Sequence, residues 1–353
     1  MKQLQDFDIT NFQNQLIHWY EQNKRDLPWR RTNDPYKIWV SEIMLQQTKV
    51  DTVIPYFNRF ITKFPTVHHL AEADEQTVLK EWEGLGYYTR AKNLQHAVRE
   101  VVEEYNGKVP EDPEKLKTLK GIGPYTKGAI LSIAFNQPEP AVDGNVMRVF
   151  SRLLQIEEDI AIQRTKKRFD EIIRNIIPKD NPSSFNQAIM ELGALICIPK
   201  KPKCTDCPVR KHCLAYENGK ERTLPIKGKA KKKTVIPYVV LLIRNKMNDF
   251  AIEKRPSSGL LANMWQFPMV PINDIGKDHI ENWVYGEYGI KISMKAKKGK
   301  LNHVFSHIIW QLEIYSAELI RYEKKERIHF VSKEMLNDYP FPVSHINIMK
   351  YIS

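Results

Sequence analysis

Every cysteine of the chain lies between residues 197 and 213, in the order Cys197-x6-Cys204-x2-Cys207-x5-Cys213. In a reducing compartment, four thiols confined to one basic loop suit a metal centre better than disulfides. A zinc ribbon takes two close cysteine pairs, each forming a tight knuckle, and only one C-x2-C is present. Four thiolates in one compact loop also suit an iron–sulfur cluster, so the residue types leave both metals open. Lys200, Lys201, Lys203, Arg210 and Lys211 crowd the same loop. Taken as residues alone, these cations suit ordinary loop solvation or an acidic partner equally.

Two carboxylates stand in unlike surroundings. Glu42 is the only charge in "IWVSEIML". On a helix its neighbours at i−4 and i+3 are Ile38 and Leu45, and an apolar strip of this kind raises a carboxyl pKa until it keeps its proton near neutrality. Asp143, in "PAVDGNVMRVFSRL", precedes the helical spacing of Val146, Val149, Phe150 and Leu153. That is the place of an N-cap, and the helix N-terminus is expected to lower its pKa and hold it ionised. One carboxyl kept as an acid beside another kept ionised is the arrangement that breaks glycosidic bonds through an oxocarbenium-like state. Nothing in the sequence brings the two together in space.

"LKTLKGIGPYTKGAILSIAF" reads as helix, tight turn, helix. Gly121 and Gly123 are expected to allow positive φ and to leave backbone N–H groups uncovered. Such groups at a helix N-terminus bind anions.

The elements that must carry these residues divide the chain by character. Residues 1–222 are predicted to be helical: "SEIMLQQTKVDTVIPYFNRFITKF", "ADEQTVLKEWEGL", "AKNLQHAVREVVEEY" and "PSSFNQAIMELGALIC" repeat apolar residues at three- and four-residue spacing. Residues 223–234 are lysine-rich and poor in apolar residues, which is linker chemistry. From 235 to 353 the pattern turns strand-like in "TVIPYVVLLIR" and "FSHIIWQLEIYSAEL", with "DHIENWVYGEYG" as a helix between them. The fold class expected is thus multidomain, an all-α domain followed by an α+β domain. A net charge of +12 points to an acidic partner, nucleic acid first. The N-terminus lacks an apolar signal core and no run reaches the length of a membrane span, so a cytoplasmic protein with no membrane partner is expected.

Taken together, the motifs resemble those of the helix-hairpin-helix DNA glycosylases. The cysteine spacing is similar to that of the endonuclease III and MutY branch, and implies a [4Fe–4S] cluster on Cys197, Cys204, Cys207 and Cys213. "GIGPYTKGA" resembles the DNA-binding hairpin, implying phosphate contacts at Gly121 and Gly123. "LPWR", "DPYKIWVSEIMLQQTKV", "GLGYYTRAKNL" and "PAVDGNVMRV" resemble the MutY family across the whole first domain. The resemblance implies a monofunctional enzyme, monomeric, acting in base excision repair on adenine opposite 8-oxoguanine in duplex DNA of the bacterial nucleoid. Glu42 would protonate adenine N7 and Asp143 would stabilise the sugar cation, helped by Tyr125 and Asn145. The adenine would first be flipped from the stack. Arg25 and Gln187 match positions that contact it, while Gln47 and Tyr87 match residues that insert into the duplex. The strand-nicking relatives carry a lysine two residues after the second hairpin glycine; here that position is Tyr125, and Lys127 would point elsewhere.

"GLLANMWQFPMV" and the strand–helix–strand pattern resemble the Nudix-like second domain of the same family. Taking Gly289 as the final glycine of R-E-x-x-E-E-x-G, the four acidic or basic positions hold Asn282, Trp283, Gly286 and Glu287. One acid is too few for magnesium-dependent hydrolysis, so this domain is expected to bind rather than cut. "VFSHIIW" matches the loop that probes 8-oxoguanine, with Phe305, Ser306 and His307, and Ser306 bonding the damaged base. Three other functions stand against this reading: a strand-nicking glycosylase, disfavoured by Tyr125; a non-enzymatic damage binder, disfavoured by Glu42 and Asp143; and a nucleotide hydrolase, disfavoured by the missing glutamates.

Overall fold

Asp8 opens the first helix by accepting a 3.0 Å hydrogen bond from the Asn11 amide, and Phe12, Leu16 and Tyr20 then bury one stripe at helical spacing. The same local logic runs through the computed structural model, which describes residues 4–5, 7–228, 232–323 and 327–352. Three residues of the expected linker, 229–231, lie outside that set.

The helices are α1 (Ile9–Asn23), α2 (Pro35–Leu45), α3 (Val50–Lys63), α4 (Val67–Glu72), α5 (Glu75–Glu81), α6 (Thr89–Tyr105), α7 (Pro113–Leu116), α8 (Pro124–Phe135), α9 (Gly144–Leu153), α10 (Gln163–Ile176), α11 (Pro182–Leu195) and α12 (Leu214–Glu217). The apolar run from Ser41 to Phe64 does not form one helix. It breaks between α2 and α3, where Gln47 takes a left-handed φ of 58°.

Two compact units divide the chain: Met1–Glu72 with His96–Lys229, and Ala73–Gln95 with Ala230–Ser353. The sequence division placed 73–95 in the first domain, whereas by packing it goes with the second. The physical reason is local: the Trp265 indole N–H donates to Gln76 (2.8 Å), the Asn263 amide to Glu75 (2.6 Å) and the Phe341 amide to Glu83 (2.7 Å). The first unit is all helical. One of its cores joins α1, α9, α10 and α11 through Phe12, Phe150, Phe169 and Phe185, all fully buried, and Cys197, Cys207 and Cys213 pack against it.

The second unit holds β1 (Thr234–Arg244), β2 (Phe250–Lys254), β3 (Trp265–Gln266), β4 (Met269–Pro271), β5 (Ile290–Val304), β6 (Ile308–Tyr322) and β7 (Ile328–Val331), with α13 (Ile272–Ile275), α14 (Ile280–Tyr288) and α15 (Val343–Met349). The sheet runs β3-β2-β1-β6-β5, with β4 on β1 and β7 on β2. β1 and β6 are parallel and the other pairs antiparallel. Alternation sends Val240, Leu242, Trp310 and Leu312 to one face and Val239, Leu241, Ile243 and Val284 of α14 to the other, so the sheet is covered on both sides. The α+β expectation for this half holds. No helix among the described residues is long and apolar enough to cross a membrane.

Candidate active site

The first unit encloses a cavity of about 660 Å³ that Glu42, Tyr125, Asp143 and Asn145 all line. They arrive on three pieces of local structure, Asp143 and Asn145 sharing the start of α9. Glu42 lies in the last two turns of α2, buried among apolar neighbours on that helix. Tyr125 opens α8, and Asp143 caps α9 by accepting from the Val146 amide at 2.7 Å. Gly128 lets α8 approach the strand of chain that delivers Asp143: a Cβ there would lie 1.7 Å from the Pro140 carbonyl oxygen.

Glu42 is 4% exposed, and burial raises its carboxyl to about 7. The Tyr125 hydroxyl, which donates to Glu42 Oε2 at 2.5 Å, and the charge of Arg30 pull the other way, while Asp143 adds to the rise. The raised pKa expected from the sequence is therefore present. For Asp143 the sequence reading needs correction. Its pKa is raised, because burial outweighs the helix N-terminus, the Val146 amide and the Asn145 side chain, which donates at 2.8 Å. Those same donors and Arg148 favour its ionised form against burial.

Arg25 and Gln187 also line the cavity, as expected. Both are engaged from behind. Arg25 grips Glu191 through Nε (2.8 Å), Nη2 (2.7 Å) and its backbone amide (3.0 Å), and Arg30 grips the same carboxylate at 3.1 and 2.9 Å. Glu191 is 1% exposed; burial would raise its pKa, yet the two guanidiniums hold it at about 2. Gln187 accepts from the Tyr20 hydroxyl at 3.1 Å and donates to Ser183 at 3.2 Å. The sequence reading does not single out Glu191, although it is the only charge in "NQAIMELGALIC", one part of what marks Glu42.

Lys127 stays out of the cavity, paired with Glu139 at 3.1 Å. The hairpin differs in one detail from expectation. Gly121 takes a φ of 86°, but Gly123 is extended at φ −89° and serves as the N-cap of α8 without a side-chain hydrogen bond. A Cβ at Gly123 would meet nothing within 4 Å, so that position leaves open space in front of the helix N-terminus. Gln47 and Tyr87 are both exposed residues in left-handed turns, at φ 58° and 48°. For side chains larger than glycine such turns are strained, and strain of this kind collects at functional positions.

The four cysteines share one small, apolar cavity with Arg152. Among the described residues no group of three or more His, Cys, Asp or Glu side chains is arranged to hold a metal ion. Four thiols around one apolar void are a donor set that an iron–sulfur cluster could use. Arg152, 1% exposed, ties the loop down: it donates to Cys197 Sγ at 3.2 Å and to the carbonyls of Ile198, Pro199 and Leu224 at 2.8–2.9 Å. Burial pushes the Cys207 thiol up to about 12 and Cys213 to about 11, which disfavours a reactive thiol role. A hydrogen-bonded path joins this loop to the carboxylate: Asn145 accepts from Arg148 at 2.8 Å, and Arg148 donates to the Cys197 carbonyl at 2.8 Å.

In the second unit, Ser306 and His307 form the exposed tip of the β5–β6 hairpin, closed by the Phe305 amide on the Ile308 carbonyl at 2.9 Å. Phe305 itself turns inward, its ring 4.8 Å from that of Trp310 and 4.6 Å from His303. Glu287, the one acid left in the Nudix pattern, is paired with Arg327, which also reaches Glu253 at 3.2 Å. A guanidinium thus occupies the company of the remaining acids.

A cavity with a protonatable buried carboxyl, a capped second carboxylate and an uncapped hairpin helix defines a base-excision glycosylase. The model of the HhH-GPD superfamily of base excision DNA repair proteins matches residues 40–177, and that of the NUDIX domain matches 239–351. The chain belongs to the adenine DNA glycosylase family. It is 35% identical over 370 residues to the adenine DNA glycosylase of Rattus norvegicus, spanning 88% of this chain and 71% of the relative. With that of Buchnera aphidicola subsp. Schizaphis graminum it shares 38% over 305 residues, 85% of each chain. Among solved structures, a thermostable thymine-DNA glycosylase superposes with a TM-score of 0.55 at 29% identity, over 60% of this chain and 97% of that one. An endonuclease III–DNA complex shares the fold, with a TM-score of 0.51 at 23% identity over 60% and 96%. The chain is accordingly a DNA-binding enzyme that hydrolyses N-glycosyl bonds of adenine in base excision repair.

Proposed function

We propose that the substrate is adenine opposite 8-oxoguanine or guanine in duplex DNA, flipped into the cavity of the first unit and released by hydrolysis. The observation that carries this reading is Glu42, buried beside Tyr125 and Asp143 with a carboxyl poised at about 7. Protonated Glu42 passes its proton to adenine N7. The C1′–N9 bond breaks with its electron pair on the base, and ionised Asp143 offsets the positive sugar. Water adds at C1′, and its proton restores Glu42. Lys127, held by Glu139, is not available to attack the sugar, so the strand is left uncut. Gly121, Gly123 and the uncapped start of α8 bind a phosphate, while Gln47 and Tyr87 fill the disrupted stack. The enzyme acts as a monomer in the cytoplasm.

The exposed tip at Ser306 and His307 reads the 8-oxoguanine. Phe305, partly buried, braces that tip through its edge-on contact with the Trp310 ring and joins Ser306 and His307 in the reading loop. Because residues 73–95 pack with the second unit, point substitution tests this better than truncation. Ser306→Ala is expected to keep single-turnover excision of adenine opposite guanine and to lose most of the preference for adenine opposite 8-oxoguanine. An unchanged preference ratio would remove the hairpin tip from recognition. Absence of alkali-dependent cleavage at adenine in either duplex, with the unsubstituted protein, would overturn the substrate assignment.

Cys197, Cys204, Cys207 and Cys213 would hold a [4Fe–4S] cluster, which lends the loop rigidity and takes no part in the steps above. Protein purified without chelators is expected to be yellow-brown, with about four iron atoms per chain. One zinc per chain and no iron would reverse the assignment.

A further inference from the structure

Residues 73–95 carry Tyr87, and the rest of the second unit holds this segment by its polar groups. The hold begins at α5. The Gln76 side chain accepts from the Trp265 indole at 2.8 Å and donates to the Asn263 carbonyl at 3.0 Å, while Asn263 donates to Glu75 at 2.6 Å. Toward the other end of the helix, Lys80 donates to the Tyr339 carbonyl at 3.2 Å and to Glu83 at 2.6 Å. The other oxygen of Glu83 accepts from the Phe341 amide at 2.7 Å. Phe341 is itself fixed: it is fully buried and its ring stacks on Phe267 at 5.4 Å. The Glu83 carboxylate therefore joins a firmly packed part of the unit to the residue just before Gly84.

Gly84 opens a strained turn. Gly84, Gly86 and Tyr87 take φ values of 94°, 75° and 48°, and at Tyr87 a Cβ sits in the region that favours glycine. Backbone of this kind persists where its surroundings over-determine it. Trp82 and Arg90 both donate to the Gly86 carbonyl, at 3.2 and 3.1 Å, and the Tyr88 hydroxyl accepts from the Gly84 amide at 3.2 Å. The Arg90 guanidinium also lies 5.4 Å from the centre of the Tyr87 ring. These contacts give the turn its shape. They are made within residues 82–90, so they do not fix the direction in which it points from the sheet. Glu83, which adjoins the turn, ties it to Phe341. A glutamate at the end of a short helix is ordinarily solvated, but this side chain is only 19% exposed and both its oxygens are engaged.

We propose that Glu83 is a positioning residue for Tyr87: by holding the end of α5 to the Phe341 amide, it aims the strained turn that presents the Tyr87 ring to the duplex. This rests on the reading of Tyr87 as a residue that fills the disrupted stack. A ring already aimed is inserted without first ordering its own turn, so part of the cost of binding is met before DNA arrives.

The test is a double-mutant cycle in the full chain. The probe is a duplex with 8-oxoguanine opposite an uncleavable abasic-site analogue and a 2-aminopurine at the neighbouring base step, whose fluorescence reports the stacking there. Tyr87→Ala is expected to bind about tenfold more weakly, the worth of one stacked ring, and to lose the fluorescence change. Glu83→Ala should bind about three- to fivefold more weakly and lose much of that change. In the Tyr87→Ala background it should cost nothing more, because its effect passes through the ring. Glu83→Gln keeps an acceptor for the Phe341 amide and should restore both readouts. Gln76→Ala removes the Trp265 and Asn263 contacts far from the turn, and should lower the urea midpoint while leaving the fluorescence change intact. Should Glu83→Ala not fold, Glu83→Asp, one methylene short of the Phe341 amide, should show the same non-additivity in milder form. Losses that add in the double variant overturn the proposal, as does a Gln76→Ala variant that loses the fluorescence change equally, which would make Glu83 one docking contact of α5 among several. Normal binding in Glu83→Ala with weak binding in Tyr87→Ala overturns the role of Glu83 and leaves that of Tyr87 standing. Normal binding in Tyr87→Ala overturns both.

Discussion

Glu42→Gln is expected to lower single-turnover excision of adenine by about 10²–10⁴-fold, the usual worth of a general acid, or roughly 3–5.5 kcal/mol of barrier. Glutamine keeps the reach of the side chain and can still accept from the Tyr125 hydroxyl, but it has no acidic proton. Adenine leaves poorly as an anion, so the loss falls on the chemical step. Affinity for the mismatch should hold, since phosphate contacts do not need Glu42 and the change removes a potential negative charge. The pH dependence adds a second readout. The acid form of Glu42 is depleted as pH rises through about 7, so wild-type excision should fall on the alkaline side with a limb near that value, and the variant should lose the limb. Stability follows the same proton. A carboxyl whose folded pKa exceeds its unfolded value of about 4.5 favours the fold most below that value and loses the benefit as pH rises through 7. Above pH 7 the buried charge costs roughly 3 kcal/mol, so Glu42→Gln should raise the urea midpoint relative to wild type at pH 8 more than at pH 4. Near-wild-type excision in the variant would take Glu42 out of the chemistry.

Asp143→Asn should separate a structural from an electrostatic role at one position. Asparagine is as good an N-cap as aspartate, so the bond from the Val146 amide can persist and the start of α9 should survive with a change of less than about 1 kcal/mol. What disappears is the negative charge at the cavity wall. Removing one preorganised electrostatic partner of a transition-state charge typically costs about 10²–10³-fold, and that is the expected fall in excision. The variant should also move the alkaline limb of Glu42 downward, because Asp143 contributes to the rise of the Glu42 pKa. A variant with an unchanged rate and an unchanged limb would leave Asp143 as a helix cap and nothing more.

Much of this was legible before folding. Glu42 stood alone among apolar residues at i−4 and i+3, and local helical geometry places such a carboxyl on a face that the fold buries. Asp143 preceded an amphipathic helix and caps it. The change from three- and four-residue spacing to alternation announced the second unit, and the cysteine spacing announced a loop that gathers four thiols at one cavity. These are properties of short windows, where the period of the backbone dictates which side chains share a face.

What the sequence could not determine depended on distances across the fold. Only the packing of α8 on α2 sets the Tyr125 hydroxyl on Glu42, 83 residues away in the chain. Glu191, like Glu42 the only charge in its window, has the opposite fate: two arginines from before α2 close on it and hold it ionised at about 2. Asp143 shows the reverse, a carboxylate whose helix position predicted a lowered pKa and whose burial raises it. Phe305 turned inward because Trp310, opposite in the β5–β6 pairing to His303, offers it a ring to pack on. Residues 73–95, helical by pattern, joined the second unit through hydrogen bonds to Asn263, Trp265 and Phe341. Sequence windows specify which element a residue sits on; whether a charge there finds a counter-charge, a hydroxyl or a wall of carbon is decided by elements far off in the chain, because Coulomb and desolvation energies depend on separation in space and on burial rather than on position in the chain.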